Sequence, residues 1–117
     1  MEYIDGYVVA VPKANKDAYL KIAEIAAEVF KDHGALRVVE TWADDVPDGE
    51  TTSFPMAVKC KEDEAVVFSW VAWPSKEARE IGNKKVMEDS RFNMGDMEPV
   101  FDGKRMIYGG FQAIVDQ

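Results

Sequence analysis

The stretch YIDGYVVAVPKANKDAYLKIAEIAAEVFKDHG, residues 3–34, decides the fold. Its first part, Tyr3 to Val11, is rich in β-branched and aromatic residues and is predicted to be a strand. Pro12 ends that strand because proline has no amide hydrogen to donate to a ladder. Asn15 is a suitable N-cap for a helix that runs to about His33 with apolar residues every three or four positions. Gly34 stands where a left-handed residue commonly ends a helix.

The same order recurs in the second half of the chain. Ala65 to Trp73 is predicted to be a strand that ends at Pro74, and Ser75 to cap a helix running to about Asp89. The two helix starts, NKDA at 15–18 and SKEA at 75–78, match as cap, lysine, acid and alanine. An acid in the first turn favours the helix dipole. The repeated strand–helix unit is typical of a split βαβ fold.

Two further strands complete the prediction, Ala35 to Ala43 and Lys104 to Val115. The segment Asp44 to Pro55 contains the turn signal Pro47-Asp48-Gly49, and Ser90 to Pro99 is irregular, with Phe92, Met94 and Met97 expected to pack. The chain is therefore predicted to be one ferredoxin-like α+β domain over residues 1–117, of order βαββαβ. It would have a four-stranded antiparallel sheet with both helices on one face.

Composition excludes several classes of function. With 117 residues and 47% hydrophobic content, the chain can build a core without a disulfide or metal. Its net charge of −8 repels phosphate backbones and anionic membranes, so neither is an expected partner. No apolar run approaches the ~20 residues needed to cross a bilayer. The single cysteine, Cys60, cannot form an internal bridge, which suits the reducing cytoplasm as the expected location.

Helices on one face leave the other face of the sheet, the open face, to be polar or covered by a partner. We assign the small apolar residues Ile4, Gly6, Val8 and Ala10 of the first strand to the helices. The open face is then predicted to carry Asp5, Tyr7, Glu40, Trp42, Phe68, Trp70, Tyr108 and Gln112. A large exposed aromatic patch marks an interface or a ligand site. We therefore expect a homodimer whose two sheets face each other and enclose one cleft per subunit.

Within that cleft, the ligand-binding candidates are Asp5, Tyr7, Trp42, Phe68, Trp70, Tyr108 and Gln112. Glu40 is the candidate general base, with a pKa raised by burial. His33, the only histidine, lies at a helix end and is a second catalytic candidate. The alternatives are structural: the aromatic residues fill a dimer interface, Glu40 pairs with an arginine across it, and His33 is a packed or capping residue.

No motif points to a cofactor or a metal, and none is expected. The acidic turns lack the spacing of an EF-hand, HExxH or CxxC site. Cys60 lies between Lys59 and Lys61, which could lower its pKa, but no base is spaced to activate it. An inert thiol is the simpler interpretation.

Three stretches closely resemble the YbaA-like family, a domain of unknown function: residues 7–49, 65–78 and 101–111. The resemblance implies membership of the dimeric α+β barrel superfamily. That superfamily includes cofactor-free quinone-forming monooxygenases, haem-degrading enzymes, muconolactone isomerases and proteins without known activity. It supplies no catalytic residues to carry over, and a fold does not specify a function.

The predicted function is therefore general: binding of a small aromatic or apolar molecule between the sheets. One alternative is a cofactor-free monooxygenase-like or isomerase-like enzyme, in which lactone isomerisation, quinone-forming oxidation and hydrolysis all remain open. The other is a non-enzymatic interaction or accessory dimer that uses the segments Asp44 to Pro55 and Ser90 to Pro99, since long loops in compact domains are often functional.

Overall fold

The computed structural model describes residues 1–117 apart from the side chain of Met94, so the expected packing of that side chain lies outside what is described. The strands are β1, Tyr3–Pro12; β2, Arg37–Glu40; β3, Glu64–Trp73; and β4, Ile107–Gln112. The helices are α1, Lys16–Asp32; a short α2, Phe54–Ala57; and α3, Lys76–Glu88. Single 3-10 turns lie at Lys13–Asn15, Met94–Asp96 and Gly103–Arg105.

The sheet has the order β2-β3-β1-β4, and every neighbouring pair is antiparallel. This order places the two halves of the chain side by side, with β1 and β3 in the centre. The predicted ferredoxin-like βαββαβ architecture is therefore confirmed.

The helix starts differ in how they are capped. Ser75 Oγ accepts a hydrogen bond from the Ala78 amide at 3.1 Å, as its N-cap position predicts. Asn15 also occupies an N-cap position but makes no capping bond; its Nδ2 donates to the Val100 carbonyl at 2.9 Å. That bond ties the start of α1 to the segment before β4.

Two strands are shorter than predicted, and one short helix was not predicted. Strand β2 is shorter than Ala35 to Ala43, although Ala43 still donates to the Val66 carbonyl beyond the strand end. Strand β4 begins at Ile107, because Asp102 caps a turn by accepting from the Lys104 amide. The short helix α2 was not predicted, and it starts where Ser53 Oγ accepts from the Met56 amide.

The core lies between the sheet and the two long helices. Odd-numbered β1 residues face the helices, since Asp5 bonds to α3 and Val9 packs with Tyr19 of α1. The assignment of Ile4, Gly6, Val8 and Ala10 to the helices was therefore wrong by one residue. One reason is that the odd-numbered and the even-numbered side chains of β1 both include apolar residues. The other is that Asp5 was expected to face outward because it is charged, whereas it is buried and paired with Arg79.

Candidate functional site

The open face carries the even-numbered residues of β1 and the residues paired with them. In register these are Ile4 with Ala72 and Phe111, Gly6 with Trp70 and Gly109, Val8 with Phe68 and Ile107, and Ala10 with Val66. The structure places Phe68 and Trp70 on this face, as predicted. Arg37 and Val39 of β2 complete it, because they pair with Ala72 and Trp70.

One half of the open face is covered by the chain itself. Val8, Ala10 and Val66 are buried there against Val58, with Ala43 and Cys60 alongside. The segment 43–60, which crosses this half after β2, therefore acts as its cover. The prediction of a wholly bare face was wrong for this half.

The other half is uncovered and aromatic. Phe54 of α2 lies at its border with its ring 5.8 Å from that of Phe68, which is 5.5 Å from Trp70. On the opposite edge strand, Phe111 is 63% exposed and Ile107 46% exposed. We call Phe54, Phe68, Trp70, Ile107 and Phe111 the aromatic surface.

A pair of glycines forms the middle of this surface. Gly6 and Gly109 lie directly opposite each other on β1 and β4. A Cβ at either position would lie 3.5–3.6 Å from the Phe111 ring, so that ring lies across both backbones. At the far end, Arg37 donates to Glu2 at 3.0 Å, so the charges at that border are paired. The Phe111 ring thus covers the two glycines, and the result is an apolar surface with a polar end.

The remaining candidates project to the helix side of the sheet. Glu40, Trp42, Asp5, Tyr7, Tyr108 and Gln112 were predicted on the open face and are on the opposite one. The reason is the one-residue parity error in β1, β2 and β4. Because the same error applies to all three strands, these six predicted residues still lie together on one face of the sheet.

Asp5 is the centre of a buried polar network. The residue is 3% exposed, and its carboxylate accepts hydrogen bonds from Trp73 Nε1 at 3.1 Å and from Asn83 Nδ2 at 3.2 Å. Arg79 donates to it through Nε and Nη2, the shorter bond being 2.8 Å. Arg79 and Asn83 were missed, although their spacing of four puts them on one face of α3. This network fixes α3 to β1.

Four residues form a row across the helix side of the sheet. Glu40, Ser69, Tyr7 and Tyr108 pair in succession through β2, β3, β1 and β4. Tyr19 of α1 donates to Glu40 Oε1 at 2.7 Å. Burial raises the pKa of Glu40, while hydrogen bonds from Tyr19 and Ser69 act in the opposite direction. The raised pKa is the property predicted for a base, but the carboxylate lies at the sheet–helix boundary.

Trp42 is half-buried beside Tyr19 in the same core cluster. The Lys16 ammonium lies 5.1 Å from the centre of its ring. Such a cation–π contact stabilises the start of α1 against the sheet. It makes Trp42 a neighbour of Glu40 on the helix side rather than a part of the aromatic surface.

His33 is the C-cap of α1 and is not part of the row that contains Glu40. Its Nε2 lies 2.9 Å from Asp89 Oδ2, at the end of α3. Asp89 also accepts from Arg91, which in turn donates to Asp32 at 2.8 Å. Arg91 and His33 hold the pKa of Asp89 well below its usual range. His33 thus joins the ends of α1 and α3, and its catalytic role stays a prediction.

The thiol of Cys60 lies at the covered end of the open face. Burial and the nearby Glu64 carboxylate raise its pKa, so the expected lowering by Lys59 and Lys61 was wrong. A raised thiol pKa opposes thiolate formation. Among the described residues, no three His, Cys, Asp or Glu side chains are grouped to hold a metal ion.

Within the part of the chain that the structure describes, no helix combines the length and apolar character needed to cross a bilayer.

The chain was compared with known proteins. Residues 2–103 match the family model described as "Protein of unknown function (DUF1428)". The chain is 58% identical over 118 residues to "Uncharacterized protein YbaA" of Escherichia coli strain K12, with each chain covered completely. The same identity and coverage hold for the protein of that name from Shigella flexneri.

Two solved structures share the fold. One is an uncharacterized NIPSNAP domain protein from Burkholderia xenovorans, with a TM-score of 0.60 and 11% identity, over 98% of this chain and 99% of that one. The other is a dimeric ferredoxin-like protein from an uncultured marine organism, with a TM-score of 0.58 and 10% identity, over 100% of this chain and 98% of that one. At such identities the likeness concerns the fold alone.

Proposed function

The chain belongs to the family of proteins of unknown function DUF1428, and we propose that it acts as a homodimer that binds a small aromatic or apolar molecule between two open faces. The observation that carries the proposal is the aromatic surface, to which the segment 43–60 contributes Phe54 at the border and which it otherwise leaves uncovered. Large contiguous apolar patches on a protein of this size mark interaction or ligand sites.

A second copy is the occupant best suited to this surface. An apolar sheet face in contact with water is unfavourable in free energy, and packing against a second sheet removes that cost. The one pair of charges at the border, Arg37 with Glu2, is already neutralised within the chain. The structural neighbour from the marine organism is itself described as dimeric. These points support pairing through the open faces.

The exposed rings of the aromatic surface support a planar ligand. A planar molecule held between two such surfaces would stack on the rings of Trp70 and Phe111, since aromatic rings stack well on one another. Few polar groups border this surface, so a ligand with little hydrogen-bonding capacity fits best. The proposed ligand is therefore apolar or aromatic.

Charge and thiol content support the remaining parts of the proposal. A net charge of −8 opposes binding to nucleic acid and to anionic membranes, and neither is proposed as a partner. The free thiol of Cys60 has no second cysteine to bridge with. We propose the reducing cytoplasm as its location.

Sedimentation velocity at micromolar concentration tests the dimer. We expect wild-type protein at twice the 13.1 kDa mass of the chain, with the dimer strengthened by salt because each copy is acidic. Phe111→Glu, on the open face, is expected to sediment as a monomer. Tyr108→Glu is the matched control, because Tyr108 is also exposed on β4 but projects to the helix side. A monomeric wild type, or a dimeric Phe111→Glu variant, would contradict the proposal.

The ligand is tested separately with the neutral aromatic probe N-phenyl-1-naphthylamine. Wild-type protein is expected to enhance its fluorescence saturably, with about one site per subunit. Trp70→Ala should weaken this binding at least about tenfold, since it removes a ring of the aromatic surface. Non-saturable binding, or equal affinity in Trp70→Ala, would remove the ligand from the proposal and leave the dimer standing.

A second candidate function is favoured by one observation, the desolvation of the Glu40 carboxyl, which raises its pKa although Tyr19 donates a hydrogen bond to it. A carboxylate with a raised pKa is closer to the basicity needed for proton abstraction near neutral pH. This suits a cofactor-free isomerase-like or monooxygenase-like step on an enolisable lactone or a polycyclic phenol. If either substrate is turned over, Glu40→Gln should lower kcat at least about 100-fold, and unchanged turnover would exclude Glu40 as the base.

A further inference from the structure

A groove lies at one end of the sheet, where the last residue of β1 pairs with the first residue of β3. Its volume of about 390 Å³ is within the usual range of small-molecule sites. We call it the end groove, and it is lined by Pro12, Asn15, Glu64, the segment 98–102 and Arg105. None of these residues belongs to the aromatic surface, so the end groove is separate from the proposed ligand site between the sheets.

Side-chain hydrogen bonds join the two walls of the end groove. Asn15 Nδ2 donates to the Val100 carbonyl at 2.9 Å, which ties the start of α1 to the segment 98–102. Arg105 donates to both carboxylate oxygens of Glu64 at 2.7 Å, which ties the turn before β4 to the start of β3. The walls are therefore held in place by the fold itself, and a ligand would not have to order them.

Part of the lining is apolar. Pro12 contributes to one wall, and Pro99, Val100 and Phe101 contribute to the other. Val100 is 8% exposed, and the Phe101 ring packs edge-on against Tyr19 with centroids 5.8 Å apart. This part of the lining is continuous with the core, and it favours a ligand with an apolar body.

The charged part of the lining is acidic. It contains three carboxylates, Glu64, Glu98 and Asp102, and one guanidinium, Arg105, so its net charge is −2. Arg105 is shared between Glu64 and Asp102, to which its Nε donates at 3.0 Å. Glu98 is exposed, and none of the ion pairs among the described residues includes it. The charge of the end groove is therefore complementary to a cation.

We propose that the end groove binds a small organic cation, namely a primary ammonium on an apolar body that contains a ring. The ammonium group pairs with Glu98 and Asp102, and the apolar body contacts the segment 99–101. A metal ion suits the end groove less well, because part of its lining is apolar. In addition, no three His, Cys, Asp or Glu side chains of the described residues are grouped to hold one.

The probe is 2-phenylethylamine, a cation at about pH 7, with 2-phenylethanol as its neutral match. Titration is followed by amide shifts in 15N-labelled full-length protein, and the largest shifts are expected in residues 98–105. Wild type should bind the amine at least about fivefold more tightly than the alcohol, which corresponds to about 1 kcal/mol. Ethylamine, which has the charge without the ring, should bind at least about tenfold more weakly than 2-phenylethylamine. Equal affinity for the amine and the alcohol, or shifts with no preference for residues 98–105, would overturn the proposal.

Two variants separate the end groove from the general attraction of an acidic protein for cations. Glu98→Gln removes one charge from the lining and should weaken 2-phenylethylamine about three- to fivefold, with the alcohol unchanged. Glu28→Gln removes the same charge from an exposed position of α1, about 20 Å along the helix from Asn15, and should bind as wild type. Wild-type affinity in Glu98→Gln, or equal weakening in both variants, would overturn the proposal.

Discussion

The two faces of the sheet are built by opposite means. The helix side holds a carboxylate, Asp5, which is 3% exposed and is paired with three donor side chains. The open face exposes a phenylalanine, Phe111, at 63%. In this protein a charged residue is inside and an aromatic residue is outside. A buried charge is stable where its partners are supplied, and an exposed aromatic surface indicates something still to be bound.

The largest expected effect comes from breaking the network on the helix side. Asp5→Ala leaves the Arg79 guanidinium and the Trp73 and Asn83 donors without an acceptor, and should lower the free energy of unfolding by about 3–5 kcal/mol. Urea unfolding measures this change. Arg37→Ala is the control, since it breaks an exposed pair on the open face and should cost below about 1 kcal/mol. Similar losses in both variants would contradict the contrast between the faces.

Glycines on the two sides provide the next comparison. Gly82 of α3 lies against the fully buried Trp73, and a Cβ there would lie 2.5 Å from Trp73 Cη2 and 2.7 Å from the His33 carbonyl oxygen. Gly82→Ala should therefore destabilise by about 2–3 kcal/mol, despite the better helix propensity of alanine. Gly6→Ala meets only the Phe111 ring, at 3.6 Å, and should change stability by less than about 0.5 kcal/mol.

Thermal and urea unfolding of the two glycine variants decide this prediction. Gly6→Ala should also be examined for its mass in solution, because it adds a methyl group to the proposed interface without disturbing the fold. A stable Gly82→Ala variant would mean that α3 can move away from Trp73 at little cost. Equal destabilisation in both variants would show that the open face is as tightly packed as the core.

The local elements could be predicted from the sequence because their signals are local. Pro12 is the last residue of β1, Pro74 directly follows β3, and Ser75 caps α3 as expected. The assignment of the faces failed because it depends on a contact across 74 residues, from Asp5 to Arg79. Without that partner, Asp5 is expected to point outward.

The short strand β2 could not correct the error. Val38 and Val39 are both apolar, so either parity gives a plausible strand. The face assigned to Glu40 and Trp42 depends on which of these two valines is taken to face the helices. Phe68 and Trp70 were placed correctly because the faces of β3 were assigned independently of those of β1. Pairing the two strands in register would have placed Gly6 and Val8 on the same face as Trp70 and Phe68.

The smallest effect concerns the covered half of the open face, which has an ionic pair of its own. Glu64, at the start of β3, accepts from Arg105 through both oxygens at 2.7 Å, and Arg105 also donates to the Lys59 carbonyl at 2.9 Å. This pair therefore anchors the cover to the turn before β4. The bonds from Arg105 lower the pKa of Glu64 to about 2.

Because that pKa is depressed, the contribution of Glu64 to stability is complete above its unfolded pKa of about 4.3 and is lost as the pH falls toward about 2. Glu64→Gln should lower the free energy of unfolding by about 1–2 kcal/mol at pH 7, and the gap from wild type should narrow between pH 4.5 and pH 2.5. Urea unfolding across this range checks it, with the exposed Glu62→Gln as control. A gap that stays constant with pH would show that the bonds to Arg105 do not depend on the charge of Glu64. The cover would then be held by the packing of Val58 and Val66 alone, as the uncovered half would be held by a partner.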